Sequence, residues 1–323
     1  MIRLDDTQPI PDHLRGAILA LGNFDGFHRG HQAVVGEALA WARAEARPCI
    51  IATFDPHPVR VFKPDTAPFR LTTLDQRQEL FAAVGADAML VFHFTREMAA
   101  TPAEDWVRDM IKRHVGAAGV VTGEDFTFGR DRLGTPELLR GVGATCDLQA
   151  RAVAAVHDAQ GPISSSRIRT ALQAGDCETA TALLTRPFTM RGCVQHGDKR
   201  GRSIGYPTAN IDAGHYLRPR YGIYAVSARV LGGHEGAGQD WSGARKLIGA
   251  ANFGIRPTFD PLKELLEPYF FDFAGDLYGQ EIDVSFEHFL RGEAKFDSLD
   301  ALTTQMARDC DEARAWLART QPA

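Results

Sequence analysis

Cysteine is scarce and unpatterned in this chain. The five, Cys49, Cys146, Cys177, Cys193 and Cys310, are scattered and never form a C-x-x-C pair. That excludes a disulfide framework and a thiolate zinc site, and it points to a reducing compartment. An excess of basic charge is also missing: 36 Lys+Arg stand against 41 Asp+Glu, a formal net charge of −5. A non-specific nucleic-acid binder needs the opposite balance. No apolar run reaches membrane-spanning length. The opening residues, Met1 to Asp6, are acidic, and Pro9 and Pro11 follow, unlike a signal peptide. Repeats and low-complexity tracts are absent. The expectation is a cytoplasmic protein, a monomer or weak homo-oligomer, with small-molecule partners and neither nucleic acid nor membrane.

A length of 323 residues exceeds what one core usually serves, so two domains are expected. The first half alternates strand-like and helix-like runs. Ala17–Leu21, Cys49–Phe54, Ala88–Phe92 and Gly119–Thr122 read as short buried strands. Thr73-Leu74-Asp75-Gln76 and Thr101-Pro102-Ala103-Glu104 read as capping boxes opening helices. Such alternation implies a parallel sheet with helices on both faces. Ligands of such sheets bind at the carboxyl ends of the strands. A helical stretch, broken at Gly175, runs from Ser165 to about Leu184. Beyond Arg186-Pro187 the texture changes to glycines and short β-prone runs, among them Phe188–Val194, Gly222–Ala228, Lys246–Asn252, Tyr269–Phe273 and Ile282–Phe289. Gly232 to Gly238 reads as a hairpin loop. An antiparallel barrel or sandwich follows from this spacing. A helix over about Leu299–Leu317 closes the chain. The domain reading is 1–186 and 187–323.

The densest motif is Gly22-Asn23-Phe24-Asp25-Gly26-Phe27-His28-Arg29-Gly30-His31. It sits where the first strand turns into a helix. Free backbone N–H groups and a positive helix end there suit a phosphate. Neutral imidazoles can donate to nucleotide phosphates and stabilise charge developing on phosphorus. A zinc site would want a different spacing and a third ligand. Ser164-Ser165-Ser166-Arg167, at a later helix start, reads either as N-caps or as a phosphate clamp. Thr53-Phe54-Asp55-Pro56-His57-Pro58 with Phe62, and Gly123-Glu124-Asp125-Phe126-Thr127-Phe128-Gly129, each offer apolar surface at a strand end. That surface suits a flat ring, or simply packs in the core. In the second half, Gly197-Asp198-Lys199-Arg200-Gly201 is no Walker A loop, so a kinase here is not of the P-loop class. Gly and Lys permit close backbone approach and one compact charge to a phosphate. Thr208 and Asn210 offer two oxygen ligands for Mg²⁺, which takes few protein ligands beside substrate phosphates.

The ten-residue string resembles the HxGH signature of the nucleotidyltransferase superfamily, in the form used by its FAD synthetase branch. Thr-Phe-x-Pro-His-Pro, Gly-x-Asp-Phe-x-Phe-Gly and Ser-Ser-x-Arg-Ile-Arg follow in that family's order. The run from Gly197 to Asn210 resembles the riboflavin kinase signature, with Tyr206 where Phe is commoner. Ala251 to Thr258, Leu266 to Phe273 and Phe296 to Leu299 are also similar to that family. The whole chain, from about Gly16 to Ala315, thus resembles the bacterial bifunctional riboflavin kinase/FAD synthetases. The resemblance implies a Rossmann-like α/β nucleotidyltransferase domain, then an antiparallel β-barrel kinase domain with a C-terminal helix. It implies that riboflavin is phosphorylated by ATP to FMN, and that FMN is adenylylated to FAD with release of pyrophosphate.

By the same resemblance Gly22, Asn23, Phe24, His28, His31, Ser164, Ser165 and Arg167 bind ATP in the first domain, with His28 and His31 catalytic. Phe54, His57, Pro58, Phe62, Asp125 and Phe128 line its flavin pocket. In the kinase, Gly197, Lys199, Gly201, Thr208 and Asn210 bind ATP, Thr208 and Asn210 also holding Mg²⁺. Asn252, Gly254, Arg256, Pro257, Arg291 and Phe296 bind flavin, and Glu267 is the catalytic base. Pro268-Tyr269 departs from the family's pattern, and Pro inside a strand is awkward, so Glu264 is a rival for the base. Two other functions compete: an adenylyltransferase with a different phosphate acceptor, and a flavin-binding regulator without catalysis.

Overall fold

The computed structural model describes residues 1–196, 204–233, 246–256 and 263–320. Gly197, Lys199, Gly201 and Pro257 lie outside the described residues, as does the expected hairpin loop from His234 on. Contacts divide the chain into two compact units, Met1–Ala67 with Thr72–Ser165, and Pro68–Leu71 with Ser166–Ala323.

The first unit is a six-stranded, all-parallel sheet. Its strands are β1 (Ile2–Asp5), β2 (Ile18–Leu21), β3 (Cys49–Asp55), β4 (Ala88–His93), β5 (Gly119–Gly123) and β6 (Gln149–Val153). They are ordered β1-β4-β3-β2-β5-β6, and a short hairpin of β7 (His157–Asp158) and β8 (Gly161–Pro162) follows. Alternation along the central strands feeds two cores. Leu19, Leu21, Ile50, Ala52, Leu90 and Val120 face one, with Trp106, Ile111 and Leu139. Ile18, Ala20, Ile51, Met89 and Val121 face the other, with Val35, Trp41 and Phe81. Both faces are therefore covered, as a parallel sheet requires. The order reverses between β2 and β5, so the crevice at their carboxyl ends is the switch point. Helix α1 (Arg29–Ala44) follows β2 directly.

Strands β1 and β6 are not evident in the sequence pattern. β1 is a four-residue edge on β4, exposed along most of its length. The Thr73 capping box forms with both of its hydrogen bonds. The Thr101 box does not: Thr101 Oγ1 donates back to Glu97 O at 3.2 Å, and the helical turn Ala103–Asp105 starts without a side-chain cap. From Trp106 to Val115 the helix is wound as a π-helix, closed by Gly116 at φ 71°.

The second unit is an antiparallel sheet of β9 (Phe188–Cys193), β10 (Ile211–Asp212), β11 (Gly222–Gly233), β12 (Leu247–Arg256), β13 (Lys263–Phe270) and β14 (Gln280–Arg291). The order is β10-β13-β12-β11-β14-β9. A bridge between Gln195 and Asn210, just beyond β9 and just before β10, brings the two edges together into a nearly closed barrel. Phe188, Ile211, Tyr224, Phe253, Leu266 and Phe286 are buried in its interior. The C-terminal helix Leu299–Thr320 lies on the outer face, where Ala313 and Leu317 pack with Ala225, Ala250 and Phe271.

Two expectations shift here. The strand expected at Tyr269–Phe273 begins earlier, at Lys263, and ends in a turn at Asp272, φ 55°. Pro268 does not break it. The residue lies beyond the two paired positions of β10, and its carbonyl accepts from Ala209 N–H at 2.9 Å. The contact division also falls at Ser165/Ser166 rather than at Arg186-Pro187. The helices Ser165–Ala174 and Cys177–Leu184 bury Ile168, Leu172, Leu183 and Leu184. The second of them packs on β9 and β14, so it counts with the barrel although its sequence reads as the end of the α/β half.

Candidate functional site

In the first unit, the loop from Gly22 to His28 leaves β2 at the switch point and is held from several sides. Asn23 O accepts from Thr53 Oγ1 at 2.7 Å and from Arg77 Nη1 at 3.1 Å, and Arg77 also donates to Thr53 Oγ1 at 2.7 Å. Asp25, buried, accepts from Thr72 N–H at 3.0 Å, and Gly26 N–H donates to Thr72 Oγ1 at 3.0 Å. Ser165 Oγ donates to Asp25 O at 2.9 Å. Phe24 and Phe27 are kept at positive φ, 49° and 45°. Such backbone persists in non-glycine residues only when its surroundings over-determine it.

This loop delivers His28 as the N-cap of α1. Its Nδ1 accepts from His31 N–H at 3.4 Å, which assigns the proton of the neutral ring to Nε2. The two imidazoles stack with centroids 3.7 Å apart, and Phe24 meets His31 edge-on at 5.3 Å. Gly30 makes the stack possible, because a Cβ there would meet the His28 ring at 3.1 Å and Ile163 O at 3.3 Å. The arrangement is two preoriented rings over a helix N-terminus, where anions bind. Ser165 stands beside it through Asp25. Arg167, two residues on in the same helix, falls in the second unit.

The aromatic residues join into one lane. Phe62 meets Phe94 at 6.0 Å, Phe94 meets Phe54 at 5.9 Å, and Phe54 stacks on Phe92 at 5.5 Å. Phe92 leads to Trp106 at 5.7 Å, Trp106 to Phe128 at 5.2 Å, and Phe128 to Phe126 at 5.7 Å. Phe54 and Phe128 are buried, and Phe62 is 53% exposed at the open end. His57 caps the helix Pro58–Phe62, its Nδ1 accepting from Val59 N–H at 3.2 Å. Asp125 is exposed beside Gly123. Sequence reasoning missed Phe94 and Trp106, which link the two aromatic segments, and also Thr72 and Arg77. None of these four belongs to a motif; only their fold neighbours give them meaning.

In the second unit, the register lines up four predicted residues. Asn252 pairs with Glu267 across β12 and β13, and with Ile223 across β12 and β11, while Ile223 pairs with Arg291 across β11 and β14. The β10–β13 register, continued by the Ala209–Pro268 bond, sets Asn210 level with Glu267. Directly opposed residues share a face. Asn210, Glu267, Asn252 and Arg291 thus form one row, on the face away from the Phe253–Leu266 interior. Thr208 lies two residues before Asn210.

Glu267 is 8% exposed and accepts from Asn252 Nδ2 at 3.4 Å. Arg291 is fixed by a bidentate pair to buried Asp309, at 2.8 and 2.6 Å, with its guanidinium 5.8 Å from the Phe296 ring centroid. Gly254 leaves room for the Glu293 carboxylate, which a Cβ would meet at 2.1 Å. Arg256 ends β12 opposite Lys263. Glu264, the rival base, stands an odd number of residues from Glu267 and so on the other face. It is engaged there: Arg218 Nε donates to it at 2.6 Å, and the Tyr221 hydroxyl donates to its other oxygen. Burial first, and then this bond, push the Tyr221 hydroxyl up to about 12. Among the described residues, no cluster of three or more His, Cys, Asp or Glu is placed to hold a metal ion.

A family model described as FAD synthetase matches residues 10–167, and one described as riboflavin kinase matches residues 184–317. The bifunctional riboflavin kinase/FMN adenylyltransferase of Escherichia coli (strain K12) is 37% identical over 308 residues, 95% of each chain. Its counterpart from Bacillus subtilis (strain 168) is 36% identical over 306 residues, 92% of this chain and 91% of the relative. A crystal structure described as a macrolide-efflux protein from Streptococcus pneumoniae aligns with a TM-score of 0.85 at 30% identity, covering 98% of this chain and 100% of that one. Among the described residues, no helix of this chain is long and apolar enough to cross a membrane.

Proposed function

The chain belongs to the bifunctional riboflavin kinase/FMN adenylyltransferases, and from that premise we propose which of its residues carry each reaction. The protein phosphorylates riboflavin with ATP to give FMN, then joins FMN to the AMP part of ATP to give FAD. The observation that supports the kinase assignment best is the single cross-strand row of Asn210, Glu267, Asn252 and Arg291.

In the kinase, Glu267 takes the proton from the terminal ribityl hydroxyl as that oxygen attacks the γ-phosphorus. The bond to ADP breaks as the new one forms. Asn252 orients the carboxylate. Arg291, Phe296 and Gly254 hold the flavin, with Asp309 fixing the guanidinium. Glu264 belongs to the Arg218–Tyr221 cluster and takes no proton. Thr208 and Asn210 suit Mg²⁺ in kind: two neutral oxygen donors two residues apart, with the remaining ligands left to phosphate and water. The ion would neutralise phosphate charge.

In the adenylyltransferase, His28 Nε2–H, His31 and the start of α1 hold the phosphates of ATP. An FMN phosphate oxygen attacks the α-phosphorus, pyrophosphate leaves, and no covalent enzyme intermediate forms. Catalysis is positioning and electrostatics. Ser164 and Ser165, in the same unit, complete the phosphate grip. The lane from Phe62 to Phe128 takes the flavin ring, with His57, Pro58 and Asp125 at its margin.

We place the protein in the cytoplasm as a monomer or weak homo-oligomer, with neither nucleic acid nor membrane as partner. All five cysteines are free thiols, which supports a reducing compartment. The residue assignment is tested with Asn210→Ala. The Mg²⁺ needed for half-maximal FMN formation should rise at least about tenfold, as for lost metal contacts, while adenylylation of supplied FMN keeps its Mg²⁺ dependence. An unchanged requirement in the kinase removes Asn210 from the metal.

A further inference from the structure

Given the kinase assignment above, on which this rests, we infer that Glu293 is a further substrate-binding residue of the kinase. Its carboxylate accepts from the secondary hydroxyls of the ribityl chain, and so selects a polyol over a plain alcohol. Gly254 fixes where that carboxylate sits. A Cβ on Gly254 would meet Glu293 Oε1 at 2.1 Å and Asn252 Nδ2 at 3.6 Å. Gly254 and Asn252 are two residues apart on β12, so that Cβ direction lies on the face of the Asn210, Glu267, Asn252 and Arg291 row. Glu293 Oε1 therefore stands on the same face, beside the Asn252 amide that donates to Glu267 at 3.4 Å. The backbone at Gly254 is that of a strand, with no positive φ to require a glycine. A glycine inside a strand often marks a close approach by another group, and here the group is the Glu293 carboxylate.

Chain order sets Glu293 between Arg291 and Phe296, the two groups given to the flavin, and Asp309 locks the first of them. Glu267 takes the terminal hydroxyl. Between the ring and that terminal carbon the substrate carries only secondary hydroxyls, and each is a donor in need of an acceptor. Glu293 is exposed and therefore open to a ligand, and among the described residues it makes no hydrogen bond or ion pair. An ionised carboxylate is all acceptor, with two oxygens that can serve neighbouring hydroxyls at once. A site that bonds a hydroxyl discriminates strongly against the analogue that lacks it, because its own polar group is then left unpaired.

The full chain is assayed with riboflavin and with its hydroxypentyl analogue, which keeps the ring and the terminal hydroxyl but has no secondary hydroxyls. Glu293→Ala should lower kcat/KM for riboflavin about tenfold, the low end for a hydrogen bond to a charged group, with most of the change in KM. The same variant should act on the analogue within about twofold of the unchanged protein, since the lost bond is one the analogue never made. Where the analogue turns over too slowly to follow, its inhibition constant against riboflavin is compared instead. Glu293→Gln keeps an acceptor oxygen without the charge and should fall between the two. The urea midpoint should not move in either variant, because the side chain is exposed. Unchanged riboflavin kinetics, or an equal loss with both compounds, overturns the inference; an equal loss makes Glu293 a contact of the ring or of the fold. Glu267→Gln is run alongside. Retained FMN formation there sinks the kinase assignment itself, whatever the Glu293 variants do.

Discussion

Arg77 is the sharpest test of how the first site is built. It is 3% exposed, and its Nη1 reaches Asn23 O at 3.1 Å and Thr53 Oγ1 at 2.7 Å. Nothing in its sequence context marks it, yet it anchors the loop that presents His28 and His31. Arg77→Met keeps length and helix propensity but removes both bonds. Hydrogen bonds to charged groups are each worth about 1.5–3 kcal/mol. Removing the buried cation returns part of this, because its desolvation cost vanishes. Asn23 O keeps its bond from Thr53. The expected net loss of stability is therefore about 2–4 kcal/mol, measurable by urea unfolding. The loop then shifts, and a displacement on the order of 1 Å costs about 10²-fold in rate. Both half-reactions are assayed on the same preparation. FAD formation from FMN should fall about 10²-fold, with FMN formation from riboflavin within twofold of the unchanged protein. FAD formation within twofold of the unchanged protein, or equal loss of both activities, refutes the reasoning.

Two further outcomes are expected. Glu264→Gln should lower stability by about 1–2 kcal/mol, because Arg218 loses its charge partner, with FMN formation retained; loss of kinase turnover with stability intact would make Glu264 the base. Phe62→Ala should leave the melting temperature nearly unchanged, since the side chain is half exposed, and raise KM for FMN about two- to tenfold, the worth of one aromatic contact; an unchanged KM removes Phe62 from the flavin lane.

Much of this was legible because the informative residues sit in runs. The strand-to-helix string from Gly22 to His31 announces its own local geometry, and the central strands announce theirs by unbroken β-rich burial. Elements that borrow their stability from neighbours are silent in sequence. β1 is four residues on a sheet edge, and the π-winding after Trp106 has no compositional signal. Pro268 misled the placement of β13: its missing N–H falls on the side of Ala209, past the two residues of β10, where its carbonyl still accepts a bond. The second-rank residues are harder still. Arg77 lies 54 positions from Asn23, and Asp309 lies 18 from Arg291. Only the fold makes such pairs neighbours. The row of Asn210, Glu267, Asn252 and Arg291 is likewise a property of register, which a one-residue slip would destroy.

The central claim is that one chain holds two chemically independent sites, with His31 serving one and Glu267 the other. The direct measurement is chromatography of the flavins formed from riboflavin, ATP and Mg²⁺ by His31→Ala and by Glu267→Gln. His31→Ala should accumulate FMN, with FAD formation down about 10²–10³-fold. Glu267→Gln should lose FMN formation by about 10²–10⁴-fold yet convert supplied FMN to FAD at the unchanged rate. Loss of both activities in either variant, or FAD formed from riboflavin by His31→Ala at the unchanged rate, would contradict the account.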